Sequence, residues 1–268
     1  MLAAVASPAA HRHAPWSSSK LQTATRCARE FHYRYVERLP EIEVSPEARI
    51  GKGVHKALEN ALRRMELPAA LASGRALLES EEERARFQAL APGVERFLAR
   101  VDAFRARRRV RSELVEHRLG LDASFGPAGF SARGVFFRGV LDAVFVYDDG
   151  VLAVLDHKTG ARREGVDHMA QLESYAALAA AHFAGVRRLW LGVHYVAEAE
   201  VTWAPPVDLA EVTARMLPRL EAAIEAAGLA VAEGPVPRVS PWCQRCSYRS
   251  ICPAVASLPA GGSAAAAP

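Results

Sequence analysis

The feature that most constrains the fold of this chain is a strand–turn–strand pattern at residues 138–160, RGVLDAVFVYDDGVLAVLDHKTG. Val, Leu and Phe dominate both arms, and Asp148-Asp149-Gly150 is typical of a hairpin turn. The second arm is apolar on both of its faces, as expected for a strand that is covered on each side of a central sheet. The pattern therefore predicts two neighbouring antiparallel strands, Gly134–Tyr147 and Val151–Lys158.

The turn also predicts which residues of the two strands face each other. If the turn has three residues, Tyr147 faces Val151, and counting back along both strands sets Asp142 directly opposite Asp156. Side chains alternate along a strand, so Lys158 shares a face with Asp156. Three ionisable side chains are thus expected to converge.

Two carboxylates placed about 5 Å apart among apolar residues repel each other, and the chain must relieve that repulsion. One carboxyl group could hold a proton, Lys158 could neutralise the pair, or a divalent cation could bind between them. Oxygen ligands of this kind suit Mg²⁺ or Mn²⁺. The alternative is a hairpin with no functional site, whose aspartates lie at a frayed end of the sheet.

The rarity of lysine adds weight to Lys158. Only four of the 34 Lys and Arg residues are lysine, namely Lys20, Lys52, Lys56 and Lys158. Arginine does not replace lysine as a compact point charge, so a lysine kept beside two aspartates indicates a chemical role.

The remaining pattern predicts an α/β fold with a mixed central sheet flanked by helices. Helices are expected at 17–35, from Gly51–Gly53 onward, and at 75–108, 168–184 and 207–228. Further strands are expected at Leu114–Leu121, Arg188–Val196 and 200–204, before an irregular segment at 234–254. We expect one domain over 16–254, with disordered ends at 1–15 and 255–268.

Composition limits the class of protein. No apolar run reaches the roughly 20 residues of a membrane-spanning helix, and the first residues do not resemble a secretory leader, so we expect no membrane partner and a cytoplasmic location. The net charge of +4 permits a nucleic-acid partner without requiring one. The basic run Arg105–Arg111 is either a solvated helix face or a set of phosphate contacts.

The four cysteines have a spacing that suggests one shared metal site. Cys243, Cys246 and Cys252 follow a Cys-x₂-Cys-x₅-Cys-Pro pattern, and Cys27 is the only cysteine left to complete a set of four thiolates. Disulfides are disfavoured in the cytosol, so metal binding is the better interpretation. The spacing alone does not separate zinc from a 4Fe–4S cluster. Either would close a loop of more than 200 residues between the two ends of the chain.

Together these motifs resemble the PD-(D/E)XK nucleases, specifically the RecB-type exonuclease group. That pattern has an aspartate on one strand, here Asp142, and an acidic-x-lysine motif on the next, here Asp156-His157-Lys158. A glycine-led helix with a histidine precedes them, here Gly51 to Glu59 with His55. A helix with glutamine and tyrosine four residues apart follows them, here Gln171 and Tyr175. Each motif is weak alone, but their order along the chain is specific.

The resemblance implies a restriction-endonuclease-like core and a role for each matched residue. His55, Asp142 and Asp156 would bind Mg²⁺ or Mn²⁺, helped by the backbone carbonyl of His157. Lys158 would act in catalysis with Asp142 and Asp156 by orienting water or stabilising charge on the phosphate. Gln171 and Tyr175 would position DNA or support these residues, although ordinary helix packing also explains them. Glu113 and Glu116 precede the hairpin, and we assign a ligand role to neither.

The resemblance also implies that Cys27, Cys243, Cys246 and Cys252 hold a 4Fe–4S cluster, with zinc as the alternative. The family has proline after its first cysteine, where this chain has Ala28. The expected function is hydrolysis of DNA, on single strands or duplex ends, in repair, recombination or related processing, with a helicase as a separate partner. Two alternatives are an inactive iron–sulfur subunit that binds DNA and an iron–sulfur electron carrier. The intact His55, Asp142, Asp156 and Lys158 set argues against both.

Overall fold

A computed structural model describes residues 7–42, 44–160, 162 and 168–256. The α-helices are α1 (Pro8–Arg12), α2 (Ser18–Arg26), α3 (Ala28–Phe31), α4 (Pro46–Leu62), α5 (Leu67–Arg75), α6 (Glu81–Arg107), α7 (Met169–His182), α8 (Leu209–Glu211), α9 (Leu217–Ala232) and α10 (Pro253–Ala256). Wider π-helical turns span His32–Val36 and Val212–Met216, and 3₁₀ turns span Pro241–Arg245 and Arg249–Ile251. The strands are β1 (Val110–Leu121), β2 (Pro127–Ala128), β3 (Phe137–Tyr147), β4 (Val151–Lys158), β5 (Arg188–Tyr195), β6 (Glu200–Trp203) and β7 (Val207–Asp208).

The first of two compact units, Pro46–Glu221, contains the sheet. Its strands lie in the order β2-β1-β3-β4-β5-β6, and β7 pairs with β5. The β4–β5 pair is parallel and the other pairs are antiparallel. This mixed sheet, with helices against it, confirms the predicted α/β fold class.

The two faces of the sheet are covered by different helices. On one face, Phe97 of α6 and Leu58 of α4 belong to a buried cluster that includes Phe145 and Leu155 of the sheet. On the other face, α7 lies so close to β3 that a Cβ on Gly139 would be 2.6 Å from Leu178 Cδ1. Full burial of each such large apolar side chain contributes about 1.5–3 kcal/mol. These two layers hold β3 and β4 in place between them.

The predicted helix boundaries need three corrections. The helix predicted over 75–108 begins only at Glu81, because Ser80 Oγ accepts the Glu83 amide proton at 3.1 Å and starts α6 with a capping box, while Arg75 is the last residue of the separate helix α5. The helix predicted over 17–35 is interrupted where Cys27 adopts an extended backbone (φ −161°, ψ 112°). The helix predicted over 207–228 begins after the short strand β7, which pairs with β5, and continues to Ala232.

The second unit comprises Ala6–Ser45 and Ala222–Pro268, described over 7–42, 44–45 and 222–256. Hydrogen bonds join its two parts: Arg29 N to Val236 O at 3.2 Å, Tyr33 Oη to Ile251 O at 3.3 Å, and Tyr248 Oη to Leu39 O at 3.1 Å. Early and late parts of the chain therefore meet in one unit through these hydrogen bonds.

The expected disorder at 1–15 is wrong for Pro8–Arg12, which forms α1. Ser7 caps this helix, and Ala10 is fully buried next to Gly228. Residues 1–6 and 257–268 lie outside the described residues, and the single domain over 16–254 stays a prediction. None of the described helices combines the length and the apolar character that crossing a membrane requires.

Candidate active site

The hairpin has the predicted register. Ala143 pairs with Leu155 and Val146 with Leu152, so the next facing pair is Asp142 and Asp156. The ladder of backbone hydrogen bonds stops at this point, and the His157 amide donates instead to Asp142 Oδ2 at 2.7 Å. The two strands thus separate where their carboxylates meet, and Asp142 replaces a backbone acceptor.

Asp156 is held by a network from its own strand and from α7. Lys158 Nζ lies 2.8 Å from Asp156 Oδ2, while Gln171 Nε2 and Tyr175 Oη donate to Asp156 Oδ1 at 2.8 and 3.1 Å. Gln171 Oε1 also accepts from Lys158 Nζ at 2.9 Å. The i, i+4 pair predicted on α7 therefore contacts both the acid and the lysine.

One oxygen in this network has no hydrogen-bond donor. Asp156 Oδ2 is buried and, among the described groups, none donates to it with hydrogen-bond geometry; Lys158 Nζ is close enough for an ion pair only. The ion pair with Lys158 compensates the charge of this carboxylate, and the Oδ2 lone pairs that no hydrogen bond uses are available to a bound cation.

His55 approaches the carboxylates from α4. Its Nε2 lies 3.0 Å from His157 O, and its Nδ1 lies 3.6 Å from Asp142 Oδ2 and 3.8 Å from Glu116 Oε1. With the proton on Nε2, the ring donates to the backbone carbonyl and turns the Nδ1 lone pair toward the two acids. A histidine that donates one nitrogen to a carbonyl while the other faces ligands is the usual arrangement at metal sites.

The charges of these groups shift each other's protonation. Burial would lower the pKa of His55, but the carboxylates of Glu116 and Asp142 raise it to about 9. Burial raises the pKa of Asp142; the charge of His55 opposes this shift and the charge of Asp156 adds to it. His55, Glu116 and Asp142 each offer a ligand atom within 4.8 Å of the others, so they form a set that can hold a metal ion.

Glu116 is the site residue that the sequence analysis missed. It faces Asp142 across the β1–β3 pair, between the pairs Val115–Ala143 and His117–Leu141, and its backbone is left-handed at φ +52°. Left-handed geometry is strained for a glutamate and is often found at functional sites. Glu113, which we considered beside it, instead forms hydrogen bonds with Arg105.

A second buried layer supports the His157 carbonyl. The His157 ring lies opposite the catalytic face, with its Nδ1 3.0 Å from His194 Nδ1, and Phe97 stacks on His194 at 4.2 Å between ring centroids. Burial and neighbouring cations hold the pKa of His157 well below its usual range. The pair is therefore neutral and fixes this part of β4 to β5.

One open cavity collects the predicted residues. It is lined by His55, Asp142, Asp156, His157, Lys158, Gln171 and Tyr175, together with neighbours from α4 and β5. The sequence pattern that defines the PD-(D/E)XK nuclease superfamily matches residues 15–253. The chain belongs to the PD-(D/E)XK nuclease superfamily.

The chain is also similar to solved structures. A crystal structure of a candidate exonuclease from Eubacterium rectale is similar with a TM-score of 0.50 and 12% identity, over 96% of this chain and 92% of that one. The crystal structure of SSO0001 has a TM-score of 0.40 and 16% identity, over 89% of this chain and 85% of that one. At such identities the likeness concerns the fold alone. No curated protein matches the chain.

The four cysteines of this nuclease lie in the second unit. All four are free, and they line one small cavity with Tyr33 and Trp242 among its other walls. They do not form a compact set of ligands, because among the described residues no three cysteine sulfurs lie within 4.8 Å of one another. Sulfurs around a zinc ion would lie about 3.8 Å apart. This arrangement does not support the predicted cluster, and it does not match a zinc site either.

Proposed function

We propose that this chain is a DNA exonuclease that requires Mg²⁺ or Mn²⁺, with Asp142, Asp156 and Lys158 as its catalytic residues. The observation that carries the proposal is the meeting of two aspartates, a lysine and a histidine in one open cavity of a PD-(D/E)XK nuclease. Retention of the complete set argues against an inactive subunit that only binds DNA.

The donor groups fit a hard divalent cation. His55, Asp142 and Asp156 would hold it, and Glu116 lies next to them. The His157 carbonyl oxygen, which already accepts from His55, would offer its second lone pair. The donorless oxygen of Asp156 supports this assignment. Carboxylate and carbonyl oxygens favour Mg²⁺ or Mn²⁺. When bound, such an ion supplies Lewis acidity to a phosphate oxygen.

The chain's own side chains would then orient the reactants. Lys158 would place its ammonium group beside the phosphate that approaches Asp156, stabilising the charge that develops there. Gln171 would keep Lys158 in position, because its amide oxygen accepts from the ammonium while its amide nitrogen donates to Asp156. Tyr175 would fix the other side of the same carboxylate. On this account the α7 pair supports catalysis more directly than it positions DNA.

The proposed substrate is DNA with a free end, either a single strand or a duplex terminus. Membership of the nuclease superfamily supports the DNA part, and the likeness to a candidate exonuclease agrees in fold. We propose a place in repair, recombination or related processing in the cytoplasm, as the RecB-type motifs suggest, with a helicase as a candidate partner.

Cleavage of end-labelled single- and double-stranded DNA tests the proposal. Wild-type protein should release nucleotides from ends with Mg²⁺ or Mn²⁺ and not with a chelator. Asp156→Asn and Lys158→Ala should each lose about 10²–10³-fold in rate. Asp208→Asn is the matched control, since Asp208 is exposed and bonds Arg188 in another part of the sheet. Full activity in the two site variants, or DNA binding without turnover in the wild type, would reject the assignment.

We also propose that Cys27, Cys243, Cys246 and Cys252 hold a 4Fe–4S cluster that organises the second unit. The spacing of the four cysteines supports this, and cluster binding would have to draw together sulfurs that are not clustered in the structure. In a cluster each thiolate binds a different iron, so its sulfurs lie farther apart than around one ion. Anaerobic purification, an absorption spectrum and metal analysis provide the test. One zinc without iron, or no metal at all, would contradict the proposal.

A further inference from the structure

Two arginines next to the metal-site carboxylates are held together without an acidic partner. Arg118 of β1 and Arg138 of β3 are diagonal neighbours on one face of the sheet, because Arg118 pairs with Val140 and Gly120 with Arg138. Among the described residues, no carboxylate oxygen lies within 4.0 Å of either guanidinium group. Diagonal neighbours on a strand pair are within reach of long side chains, so the two positive charges repel each other.

An aromatic ring provides the contact that both arginines share. The guanidinium carbon of Arg138 lies 4.8 Å from the ring centroid of Phe130, and that of Arg118 lies 5.6 Å from it. Phe130 comes from the loop between β2 and β3 and is half-buried. A phenylalanine ring attracts cations but carries no net charge, so the pair keeps its full positive charge toward solvent.

The basic run Arg105–Arg111 differs from this pair in its acidic partners. Within Arg105–Arg111, Arg105 bonds Glu113, Arg108 bonds Asp149 and Arg109 pairs with Asp148. These three arginines already have carboxylate partners in the chain, whereas Arg107 and Arg111 of the same run have none within 4.0 Å among the described residues. An anion from outside therefore gains more at Arg118 and Arg138 than at Arg105, Arg108 or Arg109, where it meets a competing carboxylate.

The position of the pair identifies the anion. Arg118 is two residues from Glu116 on β1, and Arg138 is four residues from Asp142 on β3. These separations are about 7 and about 13 Å along the strands, which a DNA strand spans in roughly two to four nucleotides. A chain of phosphates with one end at the carboxylates would thus pass the two guanidinium groups.

We propose that Arg118, Arg138 and Phe130 form a binding site for phosphates of a single DNA strand that leads into the active site. Each arginine binds a phosphodiester, and Phe130 holds both guanidinium groups in place. The inference rests on the proposed nuclease function, since it needs a strand with one end at Asp142 and Asp156. It adds a substrate contact on the β1–β3 pair, outside the catalytic cavity.

Equilibrium binding of a labelled single strand of about 20 nucleotides tests the site. With Ca²⁺ present, Arg118→Ala/Arg138→Ala should bind about tenfold or more weakly, and the slope of log affinity against log salt should fall by about 1.4. The control is Arg188→Ala/Arg215→Ala, which removes the same charge from exposed arginines that pair with Asp208 and Glu211. The control should bind like the wild type.

Cleavage assays separate this proposal from the one on which it rests. A dinucleotide has a single phosphodiester, which lies at the carboxylates during cleavage and leaves none for the arginines. Its cleavage should therefore be unchanged in the double variant, whereas cleavage of the longer strand should show a raised KM. Equal loss on both substrates, affinity like that of the control, or a loss confined to duplex DNA would overturn the site. If the wild type cleaves neither substrate, the nuclease proposal fails while the binding comparison still decides the site.

Discussion

The acidic site of the first unit and the cysteine segment of the second unit are organised in opposite ways. Asp142, Asp156 and His55 lie within contact distance of compensating partners: a backbone amide, Lys158 and each other. The cysteine sulfurs have weaker compensation: the Arg238 and Ser240 amides donate to Cys27 and Cys243 at 3.5 Å, and burial raises the pKa of the Cys246 thiol to about 11, so that it stays protonated. A site with built-in countercharges forms before its metal, whereas two long hydrogen bonds and a protonated thiol do not draw the sulfurs of the cysteine segment together.

The strongest test of the preformed site is Asp142→Asn. We expect cleavage to fall by about 10³-fold, because the amide removes a proposed ligand charge at the reacting centre. We also expect the metal-free protein to become more stable at pH 8. The folded-state pKa of Asp142 is raised, so its charged form costs stability that appears as pH rises above the unfolded-state pKa.

Thermal unfolding with a chelator measures the second effect. The gain should vanish at about pH 3 and below, under the unfolded-state pKa of 3.8, where the carboxyl group is protonated in both states. Added Mg²⁺ should stabilise the wild type more than the variant. Lower stability of the variant at both pH values would mean that Asp142 holds the strands together and that the site is not strained without metal.

Cys27→Ser tests the cysteine segment of the second unit. In metal-loaded protein the loss of one ligand should lower the free energy of unfolding by about 4–5 kcal/mol, the value expected when a closure of more than 200 residues is lost. In metal-free protein the same change should have almost no effect, because the hydrogen bond that the thiol accepts from a described residue is long, 3.5 Å from Arg238 N. Chemical denaturation of both forms provides the measurement, and equal effects in the two would show that the thiols act without metal.

Sequence predicted the parts of this site that depend on local geometry. A three-residue turn fixes the register of β3 against β4, so Asp142 and Asp156 were found by counting. Glu116 was not found, because β1 is joined to β3 by a long loop and its register depends on the whole sheet. The left-handed turn at Glu116 has no sequence signal, since glutamate rarely adopts it.

The predicted helix boundaries were wrong for a different reason. Ser80 and Glu83 form a capping box that is visible in the sequence, yet the charged run around them favours one continuous helix. The break at Cys27 has no local signal, because it depends on distant partners such as Val236, whose carbonyl accepts the proton of the Arg29 amide. Long-range contacts thus determine the helix boundaries of the second unit more than those of the first.

His194→Ala tests whether the preformed site needs its buried support. The change removes the hydrogen bond to His157 and the stacking on Phe97, and should cost about 2–4 kcal/mol of stability. The rate of cleavage should fall by about tenfold, far less than for Asp142→Asn. The carbonyl of His157 loses its fixed position, but its oxygen keeps its partial negative charge. His182→Ala is the control, since it also loses a hydrogen bond, to Gly120 O, outside the cavity. An equal rate loss in the control would remove any special role for the histidine pair.

Metal binding to the acidic site should also depend on pH. The pKa of His55 is raised to about 9 in the metal-free protein, so at pH 7 its ring carries a proton on the nitrogen that a cation would use. Metal binding must release that proton, and affinity should therefore rise by about tenfold for each pH unit from 7 to 9, then level off. Calorimetric titration with Mn²⁺ in buffers of different ionisation enthalpy counts the proton released. His55→Gln should bind more weakly and lose most of this slope, while Lys56→Gln on the same helix should keep it. If the affinity of the wild type does not change with pH, the cation binds without displacing the His55 proton, and the carboxylates alone form the metal site.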